Sequence, residues 1–309
     1  MKHTVKIEDL AYMLGVHVQD FPQEYSKRLD NLALVYEVLE GEKKEKAVLD
    51  QLKRIKNDKQ IVGTDARIPV WQEGWSENLQ LFIDSGYDLS QLRPKYYREN
   101  VPCRFKGKLI FADNPQFEYI LQGFIKEYIY HEYFTTVDYI YEFGCGTGYN
   151  LVDMANLFPE KNLIGLDFVP SVMELLKVIK EKYNYKIDGK IFDIRNPDTS
   201  LSIKKNSAVC TFAALEQVDI YYKEFVQFLL DQHPTICVHI EPIEELYDEN
   251  SIVDWLAKEF HEKRHYLSGY LTYLRELEKK NIIQIIKVKR LELGNFNHEG
   301  YSLVVWRAV

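Results

Sequence analysis

The sequence predicts an α/β fold, a seven-stranded and mostly parallel sheet that ends in an antiparallel C-terminal hairpin, preceded by a mainly helical N-terminal region. Three observations predict it. Strand-like and helix-like runs alternate regularly from Val137 onward; a glycine-rich turn, Gly144 to Gly148, follows the first of these strands; and two long β-type runs close the chain, joined by a short link.

The strand candidates are 137–143, 162–168, 186–193, 207–212 and 235–241, separated by helical runs near Asn150, Ser171 and Tyr221. Such a series gives parallel strands with helices on both faces. A long helical stretch, 251–279, precedes the last two strands, 282–293 and 300–307. Their link, Gly294 to Glu299, is too short for a parallel crossover, so this pair must be antiparallel. Upstream, apolar residues from Ile7 to about Asp58 recur at helical spacing, as in Leu32, Val35, Val38 and Leu39, and predict two or three amphipathic helices. Between Gly63 and Asn114, Pro69, Gly74, Gly86, Pro94, Pro102 and Gly107 interrupt any period, which reads as an ordered but irregular bridge. A further helix is expected over 115–133.

The chain has 309 residues, of which 46% are hydrophobic and 28% charged, a composition that folds rather than remaining disordered. No signal-peptide pattern opens it and no run reaches membrane-spanning length, so the expectation is a cytoplasmic protein without membrane contact. Cys103, Cys145, Cys210 and Cys237 are too widely spaced for a zinc knuckle or a disulfide framework. The net charge of -8 argues against a nucleic-acid coat protein. Against that background, Arg93, Lys95, Arg98, Arg104, Lys106 and Lys108 form a basic island broken by one acid, Glu99.

In an open parallel sheet, ligands bind beyond the carboxyl ends of the strands, where a glycine turn lets the backbone approach them closely. Gly144, Gly146 and Gly148 suit that role, yet such a turn alone serves many nucleotides. The acids at the strand ends narrow the choice. Asp167 ends the second strand 23 positions after Gly144 (167 − 144) and can accept from both hydroxyls of a ribose; Asp193 ends the third and can accept from an adenine amino group. Glu142, just before the turn, is poorly placed for a pyrophosphate and well placed for a sulfonium or ammonium group.

Glu142-Phe143-Gly144-Cys145-Gly146-Thr147-Gly148, Gly165-Leu166-Asp167, Phe192-Asp193 and Thr211-Phe212-Ala213-Ala214-Leu215-Glu216-Gln217 resemble the successive motifs of class I S-adenosylmethionine-dependent methyltransferases. The resemblance covers about 138–309. It implies S-adenosyl-L-methionine as cofactor, with the turn (Gly144, Cys145, Gly146, Gly148) and Glu142 facing its methionine part and Asp167 its ribose. It further implies that Asp193, with Phe168 and Ile194, frames the adenine, and that Phe212, at the end of the fourth strand, also contacts the cofactor. The pattern of elements and the basic island predict that 1–114 is a helical cap that folds over the cleft and helps bind substrate, and 115–309 a catalytic domain with a helical insert at about 244–279.

The acceptor's neighbours are sought at the same sheet edge. Strand periodicity puts His239 and Glu241 on one side of the fifth strand, where a histidine can take a proton near neutral pH; Glu216 follows the fourth. Many members of the family place an acid and then a histidine there, and Gln217 departs from that pattern. Glu216, His239 and Glu241 lack the spacing of a metal site, so no metal is expected. For an anionic small-molecule acceptor, such as a phosphorylated or nucleotide-linked sugar, the candidate contacts are Arg93, Tyr97, Arg98 and Arg104 of the basic island. His261, Arg264 and His265 of the insert and His298 of the last link complete the set. Oxygen is favoured over nitrogen as the acceptor atom. The competing readings are a nucleic-acid methyltransferase, which lacks the Asn/Asp-Pro-Pro-aromatic motif after the fourth strand, an aminopropyl-transferring relative, and a non-catalytic subunit that only binds the cofactor. Nothing in the sequence decides against a homodimer.

Overall fold

A computed structural model describes residues 1–309. The N-terminal region folds as β1 (Lys2–Thr4), α1 (Ile7–Leu14), α2 (Gln23–Leu32), β2 (Val35–Val38), α3 (Gly41–Asn57), α4 (Ile68–Asp84), β3 (Cys103–Phe105) and β4 (Lys108–Ala112). Helix α5 (Phe117–Phe134) leads into β5 (Tyr139–Phe143), α6 (Tyr149–Leu157), β6 (Asn162–Asp167), α7 (Pro170–Tyr183), β7 (Ile187–Ile191), β8 (Ser207–Phe212), α8 (Tyr222–Gln232) and β9 (Ile236–Glu241). The chain closes with α9 (Ile252–Arg264), α10 (Tyr270–Lys279), β10 (Ile283–Gly294) and β11 (Tyr301–Ala308). No helix is long and apolar enough to cross a membrane.

All seven predicted strands form, and β10 and β11 pair antiparallel. The sheet is larger than predicted: eleven strands, in the order β1-β2-β4-β3-β10-β11-β9-β8-β5-β6-β7. The N-terminal region is mainly helical, as expected, but it also adds four short strands, β1 to β4, which extend the sheet beyond the hairpin through the pairs Leu293 with Phe105 and Gly294 with Arg104. Segments of three to five residues carry too few alternations for a period of two to be read from sequence. The irregular bridge likewise contains a regular element, α4, which tolerates Pro69 because proline fits the first turn of a helix, where its missing N–H leaves no bond unmade. The helical stretch 251–279 is two helices, broken where His265 takes the left-handed conformation that ends α9.

One face of the parallel strands is covered by α5, α6 and α7, and the other by α8 and α10, whose Tyr270, Leu271, Leu274 and Leu277 form a buried helical stripe. The boundary at 114 separates no two cores. A single apolar cluster runs from Val5 through α4 and α5 to Val305. Helix α9 packs on α3 through Ile55, Leu256 and Phe260, which fixes both elements at the carboxyl edge of the sheet. At that edge the strand order reverses between β5 and β8, leaving a crevice for a ligand.

Candidate cofactor and acceptor clefts

The crevice is built on the turn after β5. Gly144 N–H and Cys145 N–H both donate to the Leu166 carbonyl, at 2.7 and 3.1 Å, which locks the turn to β6. Gly144 has φ +70°, and a Cβ there would lie 2.5 Å from that of Ala214, so only glycine lets the turns after β5 and β8 touch. Asp167 is buried. Its Oδ2 accepts from Gly146 N–H and its Oδ1 from Val169 N–H, each at 3.0 Å, and burial pushes its pKa up to about 6. Asp193 is held by Arg195, which donates from Nη2 at 2.9 Å and Nε at 3.2 Å. Asp167, Gly144, Phe168, Asp193 and Ile194, five of the expected cofactor contacts, line one cleft.

Glu142 lies behind the turn and is 1% exposed. Asn150 Nδ2 donates to its Oε1 at 2.6 Å, Oε2 has no partner, and burial pushes its pKa up to about 8. Three other expected cofactor contacts do not line the open cleft. Cys145 turns its thiol toward β6, where a Cβ on Gly165 would meet it at 2.8 Å; Gly148 packs against Leu176; and Phe212 is buried, with its ring against Tyr130. Gly146 is covered by α4: a Cβ there would lie 3.0 Å from Trp75, whose ring stacks on Trp71 at 5.5 Å.

A cap from the N-terminal region was expected, but not that α4 and the segment before it would supply the cover. The segment before α4 crosses the cleft, with Val62 N–H donating to the Arg264 carbonyl and Gly63 N–H to that of Gln217. Arg195 ties it down through Asp65 at 3.0 Å. The spacing of Trp71 and Trp75, one helical turn apart, was the available signal, obscured by the neighbouring proline and glycine.

A second cleft, with about 1200 Å³ of unfilled space, meets the first at Arg67, Trp71, Ala213 and Gln217. Its walls come from α3, α4, the loop before β3, α9 and the β10–β11 link. Of the expected acceptor contacts, Arg98, Arg264 and His298 line it, as does Glu216. The others are placed elsewhere. Arg93 pairs with Glu99 and covers Tyr119; Tyr97 is buried and bonded to Gln122 and Tyr149. Arg104 is 1% exposed and donates to the carbonyls of Val253 and Asn297, fastening α9 to the hairpin link. His261 is buried against His298, with Nε2 3.0 Å from Nδ1, and His265 is an exposed helix cap. The basic island is thus dispersed, because its residues alternate between strand, turn and loop.

The expected base is also corrected. His239 is fully buried in the sheet core, with Nδ1 2.9 Å from Thr211 Oγ1 and its ring stacked on Trp306; burial lowers its pKa to about 3. It reaches neither cleft. Glu241 is equally buried and accepts from the N–H groups of Ala214 and Glu216, so it shapes the turn after β8 rather than facing an acceptor. Glu216 is the remaining candidate, with its pKa pushed up to about 8 by burial and then by the neighbouring Glu241 charge.

No protein-family model matches the chain, and no curated protein does. Among solved structures it is similar to TnmH, at 17% identity and TM-score 0.46, over 60% of this chain and 55% of that one. It is also similar to the methyltransferase domain of bacterial CtHen1, at 14% identity and TM-score 0.45, over 60% and 98% of the two chains. An O-methyltransferase family 2 protein from Planctomyces limnophilus, in complex with apigenin, gives 8% identity and TM-score 0.40 over 57% and 52%. The chain spans about half the length of TnmH and of the Planctomyces protein. What decides the architecture is this chain's own topology: five parallel strands around the β5–β8 reversal, closed by the antiparallel β10–β11 hairpin.

The fold is a Rossmann-like α/β sheet closed by an antiparallel hairpin.

The residues at this crevice fit S-adenosylmethionine, the cofactor that the sequence motifs imply. A buried carboxylate oxygen without a partner at Glu142 suits a cationic group, and Gly144 and Asp167 line the cleft, where a carboxylate suits the hydroxyls of a ribose. Asp193 is already bonded to Arg195, which brings a guanidinium plane into the same cleft.

Proposed function

We propose that the chain is an S-adenosylmethionine-dependent methyltransferase that acts on an oxygen of a small, anionic metabolite, such as a phosphorylated or nucleotide-linked sugar. The observation that carries this reading is the meeting of two clefts of different chemistry at Trp71, Ala213 and Gln217, one edged by acids and one by arginines. Two ligands held there face each other across a narrow, aromatic-walled junction. That is the arrangement an in-line transfer needs.

When bound, the cofactor supplies an electrophilic methyl group on a positively charged sulfur. The chain's part is to orient and to move a proton. Asp167 accepts from the ribose hydroxyls, and Glu142 balances the ammonium. Glu216 accepts the proton that the acceptor hydroxyl loses: Gln217 Nε2 donates to its Oε1 at 2.8 Å, leaving Oε2 to take it. With its pKa pushed up to about 8, Glu216 is protonated at low pH and becomes competent as pH rises toward that value.

Two outcomes are expected. Labelled methyl transfer to a panel of phosphorylated and acidic metabolites should detect an acceptor, and Glu216→Gln should lower kcat about 100-fold and remove the rising limb of its pH profile. An unchanged kcat would show that Glu216 only shapes the turn. Glu142, with its pKa pushed up to about 8, holds a proton at pH 7 that an arriving ammonium displaces. Calorimetry of cofactor binding in buffers of different ionisation enthalpy should therefore report proton release, lost in Glu142→Gln. Well-folded protein that binds no cofactor would overturn the whole reading.

A further inference from the structure

The acceptor cleft carries more positive charge than the protein around it neutralises. Five cations line it, Arg54, Arg67, Lys95, Arg98 and Arg264, in a chain of net charge -8. Two of them have partners: Lys95 pairs with Glu77 at 2.5 Å and Arg264 with Asp58 at 2.7 Å. Arg54, Arg67 and Arg98 form no ion pair and donate no side-chain hydrogen bond within the protein. For Arg67 this is costly, because its Nε is buried with no acceptor and burial lowers its pKa.

The acids in the cleft do not offset this excess. Burial pushes the pKa of Glu118 up to about 7 and that of Glu216 to about 8, so both hold a proton for much of the time at neutral pH. Aromatic rings support two of the unpaired guanidinium groups, with Arg54 4.9 Å from the Phe296 centroid and Arg67 5.3 Å from that of Trp71. Rings stacked on guanidinium faces leave the N–H edges free to donate. Those edges match the oxygens of a phosphate, which takes several forked donors at once, whereas one carboxylate is satisfied by a single fork.

We propose that Arg54, Arg67 and Arg98 form a binding site for a phosphate monoester dianion on the acceptor, so that the metabolite methylated is a phosphorylated one. The proposal rests on the methyltransferase reading and sharpens it. None of these arginines lines the acid-edged cleft except Arg67, which stands where the two clefts join.

The test uses the full chain saturated with S-adenosylhomocysteine and four small probes: phenyl phosphate, phenyl sulfate, phthalate and phenol, titrated by calorimetry at a pH where the phosphate is a dianion. Phenyl phosphate is expected to bind at least about tenfold more tightly than the other three, since each further charged pair contributes of that order. Arg54→Gln and Arg98→Gln should each weaken it about tenfold while leaving S-adenosylhomocysteine affinity within about twofold, and Arg93→Gln, outside the cleft, should change neither. Equal binding of phenyl sulfate or phenol, stronger binding of phthalate, or phenyl phosphate binding indifferent to both arginine variants overturns the proposal. Absence of S-adenosylhomocysteine binding is a different failure, that of the methyltransferase reading.

Discussion

Asp167→Asn is expected to weaken S-adenosylmethionine binding about 100-fold, or about 2.8 kcal/mol, in a calorimetric titration of folded protein. Two ribose hydroxyls would donate to one carboxylate, and hydrogen bonds to a charged group contribute about 1.5–3 kcal/mol each. The substitution also disturbs the turn. Gly146 N–H and Val169 N–H each donate to a different oxygen of Asp167, and the asparagine amide offers an acceptor to only one of them. Folding itself should survive, because burial raises the pKa of Asp167 to about 6, which means that its charge opposes folding at neutral pH. The sign follows: stability from a raised acid is full below its unfolded pKa and falls as pH rises through about 6, and asparagine removes that loss. An affinity within threefold of the parent would remove Asp167 from the cofactor site.

The largest effect on stability is expected at Arg290, on β10. Its guanidinium binds Glu299 bidentately, with Nε to Oε1 at 2.8 Å and Nη2 to Oε2 at 2.7 Å, and it pairs with Asp254 at 2.7 Å. Glu299 is 2% exposed and Asp254 4%. Arg290→Met leaves two carboxylates buried without a cation, and breaking such a pair costs about 3–5 kcal/mol. Denaturant unfolding should show a loss of that size, largely recovered when Glu299→Gln and Asp254→Asn are added. A loss under about 1 kcal/mol would mean that water reaches the carboxylates. The same triad joins α9 to the hairpin link, so Arg264 and His298 should lose their places in the acceptor wall, raising KM before kcat changes.

Local residue order made the parallel half of the fold legible. A strand such as Ser207–Phe212 is buried on both faces and carries no charged residue, and the glycines at 144, 146 and 148 mark a tight turn that uses positive φ angles. The cofactor-side acids were readable for the same reason: a carboxylate at the end of a predicted strand has a fixed place at the sheet edge. His239 shows where this stops. Alternation along β9 gives its side of the strand, but not that Tyr270 and Trp306, from distant elements, cover that side.

The sequence by itself determined the parallel strands, the closing hairpin, the glycine turn and the acidic strand ends, all of which depend on interactions within a few residues or on one βαβ unit. Only the tertiary structure decided which cations face the acceptor. Arg104, central to the basic island, is buried between α9 and the hairpin link, whereas Arg54 and Arg67, outside it, reach the cleft. The physical reason is that strands of three to five residues acquire their pairing from β10 and from each other rather than from their own pattern. The direction of the side chains of Cys103–Phe105 and Lys108–Ala112, Arg104 among them, follows from those long-range contacts.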